Sequence, residues 1–217
     1  MPLLFCDLDN TLIDRAGAYE RWATRYLDEH GHDPRLLAQM VEIDGDGLRP
    51  KPDVAEGLRE LLSLSEGEHE HIVASLRDGV VHELVPDEEV VDALRSARSE
   101  GWIVVIVTNG ATYQQERKIM LMGLDEEVDG WVISDQVGVA KPDPAIFTIA
   151  AREVDVDDLE GAWMIGDTAA ADIAGAANAG ISSIWLHRGR TYPDDQPEPT
   201  ARAASLAEAV EIVLATD

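Results

Sequence analysis

The chain has 217 residues, enough for one large domain or for one domain carrying an insert. Its single cysteine excludes an internal disulfide framework, and 45% hydrophobic against 28% charged residues excludes global disorder. Seventeen basic against 43 acidic residues leave a net charge of −26, which argues against nucleic acid and membrane surfaces as partners. A phosphate ligand would need local positive charge and a metal. No apolar run approaches the roughly 20 residues of a membrane span. The first residues lack a basic n-region, so no signal peptide is expected and a cytoplasmic location is.

In chain order, the first apolar run is Leu3–Cys6, which suits a strand buried on both faces. It ends in Asp7-Leu8-Asp9-Asn10-Thr11, and Asp14 is placed to cap a helix. From about residue 15 to residue 85 the patterns are helical and no strand is convincing. Tyr19, Trp22, Ala23, Tyr26 and Leu27 share one stripe, closed by Gly31. Leu36, Leu37, Met40 and Val41 make a second, Leu58, Leu61 and Leu62 a third, and Ile72, Val73, Leu76 and Val80 a fourth. Eight basic and 15 acidic residues in this stretch make it no cationic trap. It reads as an inserted helical module.

Beyond it, strands alternate with helices. Val90, Val91, Leu94 and Ala97 form a helical face before the β-branched run 102–107, which ends in Thr108-Asn109-Gly110. Met120, Leu121 and Leu124 continue a helix from near Thr112. A short run at 131–133 is followed by Lys141, one of only three lysines, and by a helix starting at Pro144. The run 162–166 ends in Asp167, with Asp172 a turn and a half later in an Ala-rich helix closed by Gly180. The run 181–186 ends in His187. Tyr192 to Thr200 reads as an exposed loop, and Ser205 with Glu208 as a capping box. This alternation predicts an α/β fold, a parallel sheet covered by helices with right-handed crossovers. Ligands of such sheets bind at the carboxyl ends of strands, where the polar residues just named fall.

The motifs D-L-D-N-T-L (Asp7–Leu12), T-N-G (Thr108–Gly110), Lys141 in A-K-P-D-P and G-D-x-x-x-x-D (Gly166–Asp172) stand in order. Together they resemble the haloacid dehalogenase superfamily over nearly the whole chain. The resemblance implies a three-layer Rossmann-like core with strand order 5-4-1-2-3, formed by residues 1–14 and 86–217. The insert, residues 15–85, looks like that family's mobile helical cap, hinged near residues 12–15 and 83–86. It also implies roles. Asp7 would be the nucleophile, and Asp9 the acid that protonates the leaving oxygen and then the base that activates water. Thr108, with the backbone N–H groups around Asn109 and Gly110, would hold phosphate, and Lys141 would neutralise Asp7 and the phosphate. Asp7, the Asp9 carbonyl, Asp167 and Asp172 would bind Mg²⁺.

Elementary chemistry supports this assignment. Phosphoryl transfer depends on positioning and charge compensation. One pair of like charges at about 5 Å costs roughly 3 kcal/mol at an effective dielectric of 20, so clustered carboxylates call for a cation or raised pKa values. Mg²⁺ matches few carboxylates plus phosphate. Lys141 is the one cation that the motifs place nearby, so the empty site is expected to be a stability liability. Two departures stand out: Ala171 precedes Asp172 where many relatives carry Asn or Glu, and Asp9 is present where dehalogenases usually lack it.

The expected activity is a Mg²⁺-dependent phosphatase acting on a small phosphorylated metabolite, as monomer or homodimer. The alternatives are a sugar-phosphate mutase and a non-catalytic binding protein on this fold, and Asp9 favours phosphate chemistry over dehalogenation. His69-Glu70-His71 does not converge on a helix and reads as surface. Asp44-Gly45-Asp46-Gly47 reads as a turn, lacking the later ligands of a calcium loop. Cys6 reads as strand packing. Arg49 and Lys51 lie in a loop from which a substrate could be reached.

Overall fold

The computed structural model describes residues 2–216. Its contacts divide into two compact units, one running to Ile13 and resuming at Pro86, the other Asp14–Val85. The first unit opens with β1 (Leu3–Cys6). The second holds α1 (Arg15–Glu29), α2 (Leu37–Asp44), α3 (Lys51–Leu61) and α4 (His69–His82). The first then resumes with α5 (Glu88–Ser99), β2 (Ile103–Thr108), α6 (Thr112–Leu121), β3 (Gly130–Ile133), α7 (Ser134–Val137) and α8 (Ala145–Glu153). It closes with β4 (Trp163–Gly166), α9 (Ala174–Ala179), β5 (Ser182–Leu186), β6 (Ala201–Ala203) and α10 (Leu206–Leu214).

All six strands run parallel in the order β3-β2-β1-β4-β5-β6. Phe5 lies level with Val105 on one side and Met164 on the other. These residues, with Leu3, Val107 and Val132, pack against Ile146, Phe147 and Ala150 of α8 and Ala176 of α9. The alternate residues Leu4, Cys6, Val104 and Ile106 point the other way and are fully buried too. On the sheet α5 and α10 pack against each other, and the result is a three-layer α/β core. Helices on both faces bury every residue of β1 and β4, which is why the central strands read as continuous apolar runs. The chain order reverses about β1, so the crevice expected of such sheets opens at its carboxyl end.

The sheet carries one strand more than the resemblance implies. β6 has only three residues, none β-branched, below what periodicity can register. The segment before it is not wholly exposed: Tyr192 is buried, its ring 4.8 Å from that of Trp185. Along α6 the apolar stripe is misplaced. Met120 and Leu121 face solvent, while Gln115, Lys118 and Ile119 are buried. The Ala-rich helix opens with a π-helical turn at Ala169–Ile173 before α9. Before α10, Ser205 caps the helix and Glu208 accepts from the Ala204 amide instead of the cap's own.

In the second unit Asp14 caps α1 by accepting from the Gly17 amide. Tyr19, Trp22, Ala23 and Leu27 are buried as their stripe requires. Gly79 of α4 leaves room for the Trp22 indole, which a Cβ there would meet at 2.2 Å. Asp44 is more than a turn residue: it is buried and forms a two-pronged pair with buried Arg15, one prong 2.6 Å long. Lys51 lies 3.6 Å from the same carboxylate. Gly45, Asp46 and Gly47 all take positive φ, wrapping the chain about the Arg15 guanidinium, and a Cβ on Gly47 would come within 2.9 Å of it. Removing one partner of a buried pair strands the other charge, at about 3–5 kcal/mol. Asp44→Ala should therefore lower the stability of the helical unit by that order, measured by denaturant unfolding followed at Trp22.

Candidate active site

β1 ends at Cys6, yet the Asp7 amide still bonds across to the Ile165 carbonyl at 2.9 Å. The chain then turns tightly. The Leu12 and Ile13 amides both donate to the Leu8 carbonyl, and Asn10 takes φ 61, a left-handed conformation that asparagine tolerates better than most residues. The turn holds Asp7 and Asp9 at the carboxyl edge of the central strand.

Asp7 is buried, and the Lys141 ammonium donates to its Oδ1 at 2.7 Å. The same ammonium lies 2.7 Å from Asp172 Oδ1 and donates to the Val107 carbonyl at 2.6 Å. Asn109 fixes the lysine from behind: its side chain donates to the Lys141 carbonyl and accepts from the Lys141 amide, both at 2.9 Å. Asp172 is fully buried and accepts from the Thr168 amide at 2.9 Å. It lies against Gly166, where a Cβ would sit 2.3 Å from its carboxylate. The glycine of the last motif is thus the space that Asp172 occupies.

One carboxylate oxygen each of Asp7, Asp167 and Asp172 lies within 4.8 Å of the others. Three buried, hard oxygen donors converging in this way fit Mg²⁺. The Asp9 carboxylate is not in that group. It is held by α6: Lys118 Nζ donates to both its oxygens at 2.7 Å, and Gln115 Nε2 to Oδ2 at 3.1 Å. Gln115 also donates to Thr108 Oγ1 at 2.7 Å. The Gly110 amide donates to Ser134 Oγ at 3.0 Å, and the Asn109 side chain is engaged with Lys141. Asp167 receives Arg188 Nη1 at 3.0 Å and Arg190 Nη2 at 2.9 Å, and its carbonyl accepts from Trp185 Nε1 at 2.8 Å.

The structure thus corrects the expectation of a single nearby cation. Lys118, Lys141, Arg188 and Arg190 stand against Asp7, Asp9, Asp167 and Asp172, four basic groups against four acidic ones. Two signals could have revealed them. Lys118 is as rare a residue in this chain as Lys141 and follows Gln115 by one helical turn. Arg188 and Arg190 follow the end of a strand, as Asp7 and Asp167 do.

Burial raises the Asp7 carboxyl from 3.8 to about 8; Lys141 opposes the shift, and Asp172 and Asp167 add to it. The geometry gives the reason. One ammonium shared between two carboxylates only partly offsets the burial of Asp7. Burial also works against the Lys141 ammonium, but Asp172 and Asp7 outweigh it and hold the ammonium above its ordinary value. Burial pushes the Cys6 thiol up to about 12, with the Asp7 charge adding to it, so it is no nucleophile.

A family model described as haloacid dehalogenase-like hydrolase matches residues 1–180. The chain belongs to that family. This family member is 38% identical to the glyceraldehyde 3-phosphate phosphatase of Pyrococcus abyssi over 206 residues, 88% of this chain and 83% of that protein. It is 33% identical to the phosphoserine phosphatase of Thermus thermophilus over 153 residues, 70% of this chain and 60% of that one. It is 40% identical to the pyrimidine 5'-nucleotidase YjjG of Escherichia coli over 106 residues, 48% and 46% of the two chains. The chain thus spans about half to three-fifths of these last two relatives. The magnesium-bound structure of the hydrolase YfnB from Bacillus subtilis shares the fold at a TM-score of 0.79, with 23% identity and 98% of both chains covered. Among the described residues no helix is long and apolar enough to cross a membrane.

A raised Asp7 has a consequence whose sign can be worked out. Stability from the protonated carboxyl is full below about pH 4, the unfolded value, and is lost as pH rises through about 8. A divalent cation must displace that proton, so its apparent affinity should rise with pH by up to about tenfold per unit until pH 8. Calorimetric Mg²⁺ titrations at pH 6, 7 and 8, in buffers of different ionisation enthalpy, should show this rise and a proton released. Gly166→Ala, which pushes Asp172 aside, should abolish the Mg²⁺-induced rise in Tm.

Proposed function

We propose that this protein is a Mg²⁺-dependent phosphatase that hydrolyses a small phosphorylated metabolite through an aspartyl-phosphate. The observation that carries the reading is the placing of Asp7: at the carboxyl end of the central strand, bonded to Lys141, with Asp167 and Asp172 converging beside it and Asp9 two residues on. Asp7, Asp167, Asp172 and the Asp9 carbonyl would hold the metal, whose charge neutralises the nucleophile and the phosphate oxygens.

The residues then divide two displacements. In the first, an Asp7 oxygen bonds to phosphorus as the ester oxygen leaves, and Asp9 gives that oxygen its proton. In the second, Asp9 takes a proton from water, the water oxygen bonds to phosphorus, and the Asp7–phosphorus bond breaks to release inorganic phosphate. Lys141 compensates the charge on Asp7 and the phosphate, and Thr108, at the carboxyl end of β2, is assigned to the phosphate with the backbone N–H groups around Asn109 and Gly110. The charge balance supports this reading. Four acids matched by four bases leave the charge of a dication for the phosphate dianion, which makes anion binding feasible in a chain at −26. The relatives reported above are named for different phosphate monoesters, which supports the ester class and leaves its alcohol to be found by screening phosphorylated metabolites.

Asp7→Asn keeps the shape and removes the nucleophile. It should cut Mg²⁺-dependent turnover of p-nitrophenyl phosphate by at least about 10³-fold without lowering Tm. A folded variant that retains a tenth of the parent's rate would overturn the assignment.

A further inference from the structure

The four sequence motifs do not include α6, yet two of its buried side chains reach the site. Gln115 Nε2 donates to Asp9 Oδ2 at 3.1 Å and to Thr108 Oγ1 at 2.7 Å, while its Oε1 accepts from Lys118 at 2.7 Å. Lys118 in turn bonds both oxygens of Asp9. One amide therefore joins the end of β2 to the turn after β1. Gly110 makes room for it: with φ 146, it lies where a Cβ would meet Gln115 at 3.1 Å.

We infer that Gln115 and Lys118 are positioning residues that fix the Asp9 carboxylate relative to Thr108, and hence the proton-transfer group relative to the phosphate seat. This rests on the phosphatase reading. The reasoning is geometric. A free aspartate side chain turns about two bonds, and a proton can pass only at about 2.6–3.2 Å from the oxygen concerned. Ties to both carboxylate oxygens remove that freedom, and running the second tie through Thr108 refers the acid to the group it must serve. Two buried polar side chains on an amphipathic helix are costly unless each is bonded; here Gln115 and Lys118 bond to Asp9, Thr108 and each other. Groups that orient a reacting residue are typically worth about 10–100-fold in rate.

The test must separate positioning from support of the fold. p-Nitrophenyl phosphate and phenyl phosphate have similar shapes, but nitrophenolate departs without a proton and phenolate needs one. In Lys118→Met and Gln115→Met the first-turnover rate with phenyl phosphate should fall about 10–100-fold, and that with p-nitrophenyl phosphate much less. KM should stay within about threefold for both. Because Asp9 also serves the second step, the hydroxylamine-sensitive phosphoenzyme should accumulate with p-nitrophenyl phosphate. Lys118→Arg should recover most of the rate. Equal losses on both esters, a change confined to KM, or parental rates on both would overturn the inference. If Lys118→Met fails to fold, Gln115→Met, which removes the amide donors without stranding a charge on α6, makes the same comparison. A parent that forms no phosphoenzyme would instead overturn the phosphatase reading itself.

Discussion

The buried ammonium of Lys141 holds this site together. It lies 2.7 Å from an oxygen of Asp7 and 2.7 Å from one of Asp172, so it bridges the turn after β1 and the segment after β4. Without it two buried carboxylates would face each other in a medium that screens them poorly. With it, their repulsion is offset, while burial still holds the Asp7 carboxyl well above its ordinary value. The lysine is itself clasped by Asn109 through two main-chain bonds. Three separate strand ends are thereby tied to a single charge, and the spacing of the acids follows from where it sits.

A second consequence concerns the overall charge. A chain at −26 repels anions at long range, and screening confines that repulsion to roughly the first 10 Å around each charge at ordinary salt. What a phosphate meets at the strand ends is different. Lys118 and Lys141 there are buried, and Arg188 and Arg190 close on Asp167. The local balance, not the net charge, sets the potential at short range. The arginines hold Asp167 from the β5 side and Lys118 holds Asp9 from α6, so each acid is oriented by a base from a different element.

The helical unit is built around a similar device. Arg15 and Asp44 pair inside it, and the left-handed run at Gly45–Gly47 wraps the guanidinium. In the sequence this stretch looked like a turn because its glycines and aspartates are turn residues. The long-range partner 29 residues earlier gives it its purpose, and composition carries no sign of it.

The sequence by itself determined the parallel α/β class, because strands covered on both faces must be apolar throughout, as at Leu3–Cys6 and Ile103–Thr108. It also determined which acids stand at strand ends, since Asp7 and Asp167 directly follow such runs. Tertiary structure alone decided what surrounds them. Gln115 and Lys118 carry no mark in the hydrophobic pattern: periodicity pointed to Met120 and Leu121 because such patterning assumes that what is buried is apolar. That assumption fails where a helix is packed against a polar site instead of a core. β6 went unseen because three small residues gain strand structure only from the neighbour they pair with. Arg188 and Arg190 acquire meaning from Asp167, which follows the neighbouring strand β4 and is brought near only by the crossover between β4 and β5. Burial periodicity is a local property and could be read; the pairing of charges between distant segments is not, and only the fold could supply it.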